Sequence, residues 1–196
     1  MELRARGVVK RYGEHTVLDG IDVECVPGPP TAILGRNGAG KSTLLRCLAG
    51  ATELDAGVLS LDGQACDTTE PRYWRSVLSI LDDHAWLPHV TVRDHLVVAG
   101  EEGAADAALD ALGLEGLGDR RAESLSSGQR QRAALALTLV RPWDVLLLDE
   151  PERHLDRAGV ALLAELFAAW SDRTVVLATH DTGLVDRCGA TRIELS

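Results

Sequence analysis

Short hydrophobic runs alternate with stretches of helical periodicity along most of the chain. Residues 21–25 alternate apolar and polar positions, which is typical of a strand with one exposed face. Three other runs, at 77–81, 145–148 and 175–178, are almost continuously apolar, as is typical of parallel strands that helices cover on both faces. Together these patterns predict strands at residues 21–25, 31–34, 58–61, 77–81, 145–148 and 175–178.

Helices are predicted between these strands. Residues 41–49 precede a glycine that can end a helix, and residues 159–170 carry apolar side chains on one helical face. The segment 92–140 has almost no strand pattern, but it predicts an Ala- and Leu-rich helix over 104–112 and a second helix from Ser126 to Val140. We therefore expect an α/β fold with a mainly parallel sheet and a helical arm.

The composition narrows the classes of protein that fit this pattern. The 196 residues carry 20 Lys and Arg against 30 Asp and Glu, a formal net charge of −10, which argues against broad binding to a nucleic-acid backbone. No apolar run is long enough to cross a bilayer, and the charged N-terminus does not resemble a secretory signal, so a cytoplasmic location is expected. Four widely spaced cysteines favour reduced thiols over a zinc site or a disulfide framework.

The segment 35–42 matches the phosphate-loop pattern G-x-x-x-x-G-K-[ST] between a predicted strand and a predicted helix. Glycines in such a loop let successive backbone N–H groups point at one anion, and the following helix adds its positive N-terminal end. We expect Lys41 to reach the β- and γ-phosphates, Ser42 to bind Mg²⁺, and Thr43 to contact the α-phosphate. The residues expected to bind a nucleoside triphosphate here are Gly35, Asn37, Gly38, Gly40, Lys41, Ser42 and Thr43.

Two carboxylates follow the predicted strand at 145–148. Asp149 and Glu150 lie at its C-terminal end, the edge at which parallel α/β sheets bind their ligands. Asp149 is expected to hold Mg²⁺ through water, and Glu150 to polarise the water that attacks the phosphate. Together with the phosphate loop, the pair predicts a P-loop NTPase core.

The sequence Leu125-Ser126-Ser127-Gly128-Gln129 opens the second helix of the arm, and Ser126 is a good N-cap residue. With the two preceding motifs, it resembles the L-S-G-G-Q signature of the ATP-binding-cassette (ABC) ATPases, and the resemblance spans nearly the whole chain. It implies that Ser126, Gly128 and Gln129 face the γ-phosphate of an ATP bound to an opposite subunit. Ser127 stands where the family pattern has its first glycine.

Three further family elements follow in the same order as in the family. Tyr12 resembles the aromatic residue that stacks on adenine. His154-Leu155-Asp156 resembles the D-loop along the dimer interface, and this likeness assigns Asp156 to the nucleotide site. His180, after the strand at 175–178, resembles the switch histidine that contacts the γ-phosphate. The resemblance thus implies that Glu150 and His180 are the catalytic residues.

One position departs from the family pattern. The family usually has a glutamine after the strand that here covers 77–81, and alignment on Pro88 and Val92 places Asp82 at that point. A carboxylate can bind Mg²⁺ directly, but when ionised it donates no hydrogen bond. Asp82 is therefore a candidate Mg²⁺ ligand beside Ser42 and Asp149.

The resemblance implies a single ABC ATPase domain over residues 1–196. Its P-loop core and a small antiparallel β subdomain would occupy 1–91 and 141–196, and a helical subdomain would occupy 92–140. ATP and Mg²⁺ are the implied cofactors. The implied partners are a second ABC subunit, bound head to tail around two ATP, and permease chains with transmembrane helices; no nucleic acid is expected. The chain would lie on the inner face of the membrane through its permease, and its shortness favours an exporter-type transporter.

Several alternatives stay open on sequence alone. Trp86 and His89 resemble the part of the family fold that receives the permease, yet Trp86 fits a core position equally well. A soluble ABC-type ATPase in nucleic-acid or cofactor-assembly work is one alternative function, against which the acidic charge balance counts. A weakly hydrolysing partner in a heterodimeric transporter is another, which Asp82 and Ser127 favour. The intact motif residues Lys41, Asp149, Glu150 and His180 argue against it.

Overall fold

The computed structural model describes residues 1–81, 86–100 and 103–195. In chain order, the strands are β1 Leu3–Tyr12, β2 His15–Cys25, β3 Thr31–Leu34, β4 Ala56–Leu61, β5 Gln64–Cys66, β6 Val77–Ile80, β7 Val145–Asp149, β8 Thr174–Ala178 and β9 Thr191–Glu194. The α-helices are α1 Lys41–Leu48, α2 Pro71–Ser76, α3 Val92–Ala99, α4 Ala104–Ala111, α5 Ser127–Val140, α6 Arg157–Ala169 and α7 Thr182–Arg187.

Two sheets organise these elements. Five parallel strands form the central sheet in the order β6-β7-β8-β3-β9, and four antiparallel strands form a smaller sheet in the order β2-β1-β4-β5. The fold class predicted from the sequence, a mainly parallel α/β core with a small antiparallel β sheet and helices, is confirmed.

The two faces of the central sheet pack against different elements, as the continuous apolar runs predict. Along β7, Val145 and Leu147 join a core that also contains α1 and the antiparallel sheet, whereas Leu146 and Leu148 join a core formed with α3 to α7. Successive side chains of a strand point to opposite faces, so a strand buried on both sides is apolar at every position. All five residues of β7 and all five of β8 are buried.

The helices α3, α4 and α5 pack against one another beside the sheet. Arg93 of α3 forms ion pairs with Asp106 of α4 and with Asp119, the latter with a Nε–Oδ1 distance of 3.1 Å. Thr91 caps the start of α3 by accepting a hydrogen bond from the Asp94 amide at 3.1 Å. This group is the helical arm that the strand-poor segment predicts. Within the three described ranges, no helix is both long and apolar enough to cross a membrane.

Candidate active site

The phosphate loop connects the buried strand β3 to α1. Gly40 has a left-handed backbone (φ 92°), and a Cβ atom there would lie 3.0–3.2 Å from Val17 and Leu18, so the turn into α1 requires glycine. Lys41, the first residue of α1, is 7% exposed. Its Nζ donates hydrogen bonds to the carbonyl oxygens of Gly35 at 2.9 Å and Arg36 at 3.2 Å. The ammonium group is therefore held inside the loop.

The rest of the loop suits an anion. Asn37 and Gly38 are exposed, and Ser42 and Thr43 lie half-buried in the first turn of α1. The N–H groups of a first helical turn have no intrahelical acceptor and carry the positive end of the helix dipole. Backbone N–H groups and one ammonium group thus converge where a phosphate would bind.

The two predicted carboxylates lie at the C-terminal end of β7. Asp149 is the last residue of the strand and is 5% exposed. Glu150 follows with a left-handed backbone (φ 45°), held because its N–H donates to the Ala178 carbonyl at 2.9 Å and its carbonyl accepts from the Arg153 N–H at 2.9 Å. This turn directs two adjacent carboxylates into different surroundings.

His180 lies beside Glu150. Its Nδ1 is 3.3 Å from Glu150 Oε1, and the histidine side chain is 65% exposed against 27% for the glutamate. Both residues follow neighbouring parallel strands, β7 and β8, so the sheet brings their side chains to one edge. The structure thus unites the two residues that the sequence predicts to be catalytic.

The donor set for a divalent cation consists of hard oxygen atoms. Ser42 lies in the first turn of α1, which packs against β7, and Asp149 is the last residue of that strand. Within the described part of the chain, no group of three or more His, Cys, Asp or Glu side chains could hold a metal ion. Two oxygen ligands of this kind fit Mg²⁺, which takes its remaining ligands from phosphates and water. The third predicted metal ligand, Asp82, lies outside the described residues.

The signature residues form the start of α5. The Ser126 hydroxyl accepts a hydrogen bond from the Gln129 N–H at 3.2 Å, and the Gln129 side chain accepts one from the Ser126 N–H at 2.9 Å. This reciprocal pair is a capping box, which satisfies two N–H groups at the helix start. The side chains of Ser126 and Gln129 are therefore engaged by the helix that presents them.

The D-loop lies directly against the signature within the same chain. A Cβ atom on Gly128 would lie 2.7 Å from the His154 carbonyl oxygen, so no larger residue fits without displacing that loop. Gln131 donates from Nε2 to the Pro151 carbonyl at 3.1 Å. Asp156 caps α6 by accepting from the Gly159 N–H at 2.8 Å. The start of α5 is thus joined to the segment that follows Glu150.

The predicted site residues line two neighbouring cavities. Asp149 and Glu150 line one of about 220 Å³, Ser126, Gly128, Gln129 and Asp156 line another of about 270 Å³, and Ser127 and His154 line both. Among the described residues that line these two cavities, none belongs to the phosphate loop. Tyr12 is a further separate feature: it ends β1, is 52% exposed, and its ring centroid lies 5.5 Å from Lys10 Nζ.

Sequence reasoning missed Glu152 and Thr179, which lie beneath the Glu150–His180 pair. Glu152 is 8% exposed, and its Oε1 accepts a hydrogen bond from the hydroxyl group of the fully buried Thr179. Burial raises the pKa of the Glu152 carboxyl, and the Thr179 hydrogen bond opposes that rise. A third acidic residue three positions after Asp149 was a visible signal, but acidic residues after a strand are usually exposed.

A family model described as ABC transporter matches residues 18–153. The chain belongs to this family. The match contains the phosphate loop, the signature and the Asp149-Glu150 pair, and it confirms the resemblance to an ABC nucleotide-binding domain that the sequence motifs indicate.

Three curated relatives share much of the sequence. Aliphatic sulfonates import ATP-binding protein SsuB 2 of Xanthomonas axonopodis pv. citri is 41% identical over 197 residues, covering 95% of this chain and 66% of the relative. Phosphonates import ATP-binding protein PhnC 1 of Natronomonas pharaonis is 41% identical over 165 residues, covering 79% of this chain and 71% of the relative. sn-Glycerol-3-phosphate import ATP-binding protein UgpC 1 of Rhizobium johnstonii is 37% identical over 188 residues, covering 90% of this chain and 51% of the relative.

The chain is shorter than these ABC relatives, spanning between about half and about seven tenths of their lengths. A solved structure described as the ATP-binding subunit of an ABC transporter has the same fold, with a TM-score of 0.89 at 22% identity over 100% of this chain and 86% of that chain.

Proposed function

We propose that the chain binds MgATP and hydrolyses it as the nucleotide-binding subunit of an ABC transporter. The observation that carries this proposal is the pairing of Glu150 with His180, 3.3 Å apart beside the buried Asp149. A carboxylate next to an imidazole at the ligand-binding edge of a parallel sheet can hold a water molecule and a phosphate oxygen at the same time.

Each loop and strand end contributes one part of the chemistry. An incoming phosphate would replace the carbonyl groups of Gly35 and Arg36 as partner of the Lys41 ammonium, because an anionic oxygen is the stronger acceptor. Ser42 and Asp149 would hold Mg²⁺, which when bound neutralises charge on the phosphates. Glu150 would polarise the attacking water, while His180 would donate a hydrogen bond to the γ-phosphate.

A second ABC subunit would complete each site. Ser126, Gly128, Gln129 and Asp156 line one cavity, and none of the described residues that line it belongs to the phosphate loop. The capping box uses only the Ser126 and Gln129 N–H groups, so the remaining N–H groups at the start of α5 can receive an anion from another chain. We therefore assign the signature and D-loop to the ATP of the partner subunit, with Tyr12 stacking on the adenine of its own subunit.

The permease would contact the surface formed by residues 86–89 and α3. Leu87 is 60% exposed and Val98 is 83% exposed, which leaves apolar area for a partner. Trp86 is half-buried, packs against the core with α3 to α7, and meets the His95 ring edge-on at a centroid distance of 4.9 Å. In this arrangement 92–140 is the helical subdomain, 1–91 and 141–196 are the core, and the permease holds the chain at the inner face of the membrane.

The relatives correct the direction of transport. An exporter-type cassette is the prediction from the sequence, and the three similar proteins are instead named as import ATP-binding proteins. We therefore place the chain in an import system. Because the names of these relatives cover sulfonates, phosphonates and sn-glycerol-3-phosphate, the similarity of this chain does not select one substrate.

The Glu150→Gln variant tests the proposed function. Replacing the carboxylate by an amide keeps the shape but removes the base, so ATP turnover should fall at least about 100-fold. ATP binding should persist, and ATP-dependent dimers should accumulate by gel filtration or light scattering. Glu165→Gln, on the exposed side of α6, is the matched control and should keep the wild-type rate. Undiminished turnover of Glu150→Gln would contradict the assigned role.

A further inference from the structure

Glu152 is a buried charged residue without a role in the chemistry described above. Within the described residues, the buried charged side chains are Lys41, Asp149 and Glu152, at 7%, 5% and 8% exposure. The first two belong to the phosphate loop and to the end of β7. Burying a carboxyl group is unfavourable unless it is hydrogen-bonded, so its presence at this position needs a local reason.

A chain of hydrogen bonds runs from Glu152 to Thr179 and from Thr179 to Asp181, the two residues that flank His180. The Thr179 hydroxyl donates to Glu152 Oε1, and the same hydroxyl oxygen accepts from the Asp181 N–H at 2.9 Å. A hydroxyl group has a single hydrogen, so donation to Glu152 turns its lone pairs toward Asp181. The backbone of Thr179 is fixed as well, since its N–H donates to the Ile33 carbonyl at 3.3 Å.

These hydrogen bonds fix the backbone position from which the His180 side chain extends. The His180 side chain is 65% exposed, so packing restrains its ring little, yet its Nδ1 lies 3.3 Å from Glu150 Oε1. Glu152 follows Glu150 by two residues in the same turn and is bonded to the residue that precedes His180. One buried carboxyl group therefore joins the backbone segments that carry the two catalytic side chains.

We propose that Glu152 is a positioning residue that, through its hydrogen bond to Thr179, holds His180 against Glu150. Glu152 makes no contact with ATP in this role. It acts on the geometry of the pair, and displacing a catalytic group by about 1 Å can lower a rate about 100-fold. The proposal rests on the proposed hydrolysis of ATP only for its kinetic test.

The kinetic test compares Glu152→Leu with Glu152→Gln. Leucine removes the acceptor, so kcat for MgATP should fall about 10- to 100-fold while KM changes less than about threefold. Glutamine keeps an oxygen that accepts the Thr179 hydroxyl and should retain most of the activity. Glu165→Leu, the same change at an exposed position of α6, should match the wild type. A kcat of Glu152→Leu within twofold of wild type, or an equal loss in Glu152→Gln, would overturn the proposal.

A second pair of variants covers the case in which Glu152→Leu does not fold. Thr179→Val removes the donor and should lower kcat, whereas Thr179→Ser keeps it and should not. In a His180→Ala background, Thr179→Val should lower kcat no further, because the effect passes through His180. An additional loss in that background would contradict the positioning role.

A structural readout separates this inference from the proposed function. In crystals of Thr179→Val or Glu152→Leu, the His180 ring should leave hydrogen-bond distance of Glu150 or occupy several conformers. A ring in its original place would refute the positioning role whether or not the wild-type protein hydrolyses ATP. An inactive wild-type protein, by contrast, would refute the proposed function alone.

Discussion

Glu150 carries its carboxylate on a backbone conformation that few residues adopt. A left-handed conformation (φ 45°) costs a non-glycine residue about 1–3 kcal/mol, and it persists only where the surroundings hold it. Here the hydrogen bonds to Ala178 and from Arg153 do so. The turn ends β7 abruptly: both carboxylates line one cavity, but Asp149 is 5% exposed while the Glu150 side chain is 27% exposed and lies beside His180.

The raised pKa of Glu152 predicts a pH-dependent stability difference between the wild type and Glu152→Gln. Burial raises the pKa above its usual value of 4.5, Thr179 and His180 lower it, and Asp181 raises it. The folded state therefore binds the proton more tightly than the unfolded state does. This contribution is fully present below about pH 4.5, and it is lost as pH rises through the raised folded-state pKa.

Glu152→Gln lacks the titrating carboxyl group. The Tm of the variant minus the Tm of the wild type should therefore become more positive from pH 5 to pH 8. For a chain of this size, each kcal/mol corresponds to about 2–4 °C in Tm, which calorimetry resolves. Glu165→Gln should show the same Tm difference from wild type at both pH values. A Glu152→Gln difference that stays constant, or that shrinks with rising pH, would contradict the expectation.

Among individual residues, the sequence predicts those whose role depends on local spacing in a motif. Lys41, Asp149 and Glu150 belong to motifs of fixed spacing, and in the structure Lys41 begins α1, Asp149 ends β7 and Glu150 follows it. Glu152 could not be predicted in the same way. Its burial depends on Thr179, which is 27 residues distant in sequence. Asp82 lies outside the described residues, so its role as a Mg²⁺ ligand stays a prediction.

Helix α1 is held at its start by the phosphate loop and near its end by a contact from α2. At its start, the Lys41 ammonium bonds to the carbonyl groups of Gly35 and Arg36. Near its end, the buried Tyr73 hydroxyl of α2 donates to the Leu48 carbonyl. A helix leaves its last four carbonyl groups without intrahelical donors, so Tyr73 satisfies one of them inside the core.

Tyr73→Phe should therefore destabilise the protein by about 1–3 kcal/mol, because it leaves a buried carbonyl group without its donor. Urea unfolding monitored by circular dichroism measures the change. The chain offers an exact control, since it has two tyrosines and the other, Tyr12, is 52% exposed. Tyr12→Phe should stay within about 0.5 kcal/mol of wild type. Equal effects of the two substitutions would contradict the anchoring of α1.

Some strands can be predicted from the sequence and others cannot, because the pattern of their buried positions differs in regularity. The buried strands β3, β7 and β8 are recognised from unbroken apolar runs. Strand β1 was missed because its pairing with β2 shifts register after Ala5 and after Val8, so its buried positions depart from strict alternation. Short elements at the edges, β5, β9, α2 and α7, carry too few buried residues to produce a period of their own.

At the scale of the whole molecule, we expect the phosphate loop and the signature of one chain to contact two different ATP molecules. The two cavities at the signature and at Glu150 contain no described residue of the loop. A homodimer that pairs the loop of one chain with the signature of the other would unite them in two equivalent sites.

Mixing two inactive variants tests this pairing. Lys41→Ala removes the loop ammonium, and Gly128→Ala pushes a Cβ atom to within 2.7 Å of the His154 carbonyl, so each homodimer should be inactive. A mixed dimer contains one intact loop facing one intact signature. An equal mixture should therefore recover about a quarter of the wild-type ATPase rate if sites act independently.

The control mixes Lys41→Ala with a chain that carries both substitutions. Every dimer in that mixture lacks Lys41, so no activity should return. Absence of recovery in the first mixture, with dimers present by light scattering, would argue against a site shared between two copies of this chain.

The lysine of the phosphate loop is held in place by groups of the loop itself. Lys41 is 7% exposed, and two carbonyl groups hold its ammonium. Immobilising a lysine costs up to about 2 kcal/mol of side-chain entropy, and in this chain that loss belongs to folding rather than to association. The loop is thus a preorganised receptor, and ATP binding would exchange one set of oxygen partners for another without freezing a mobile side chain.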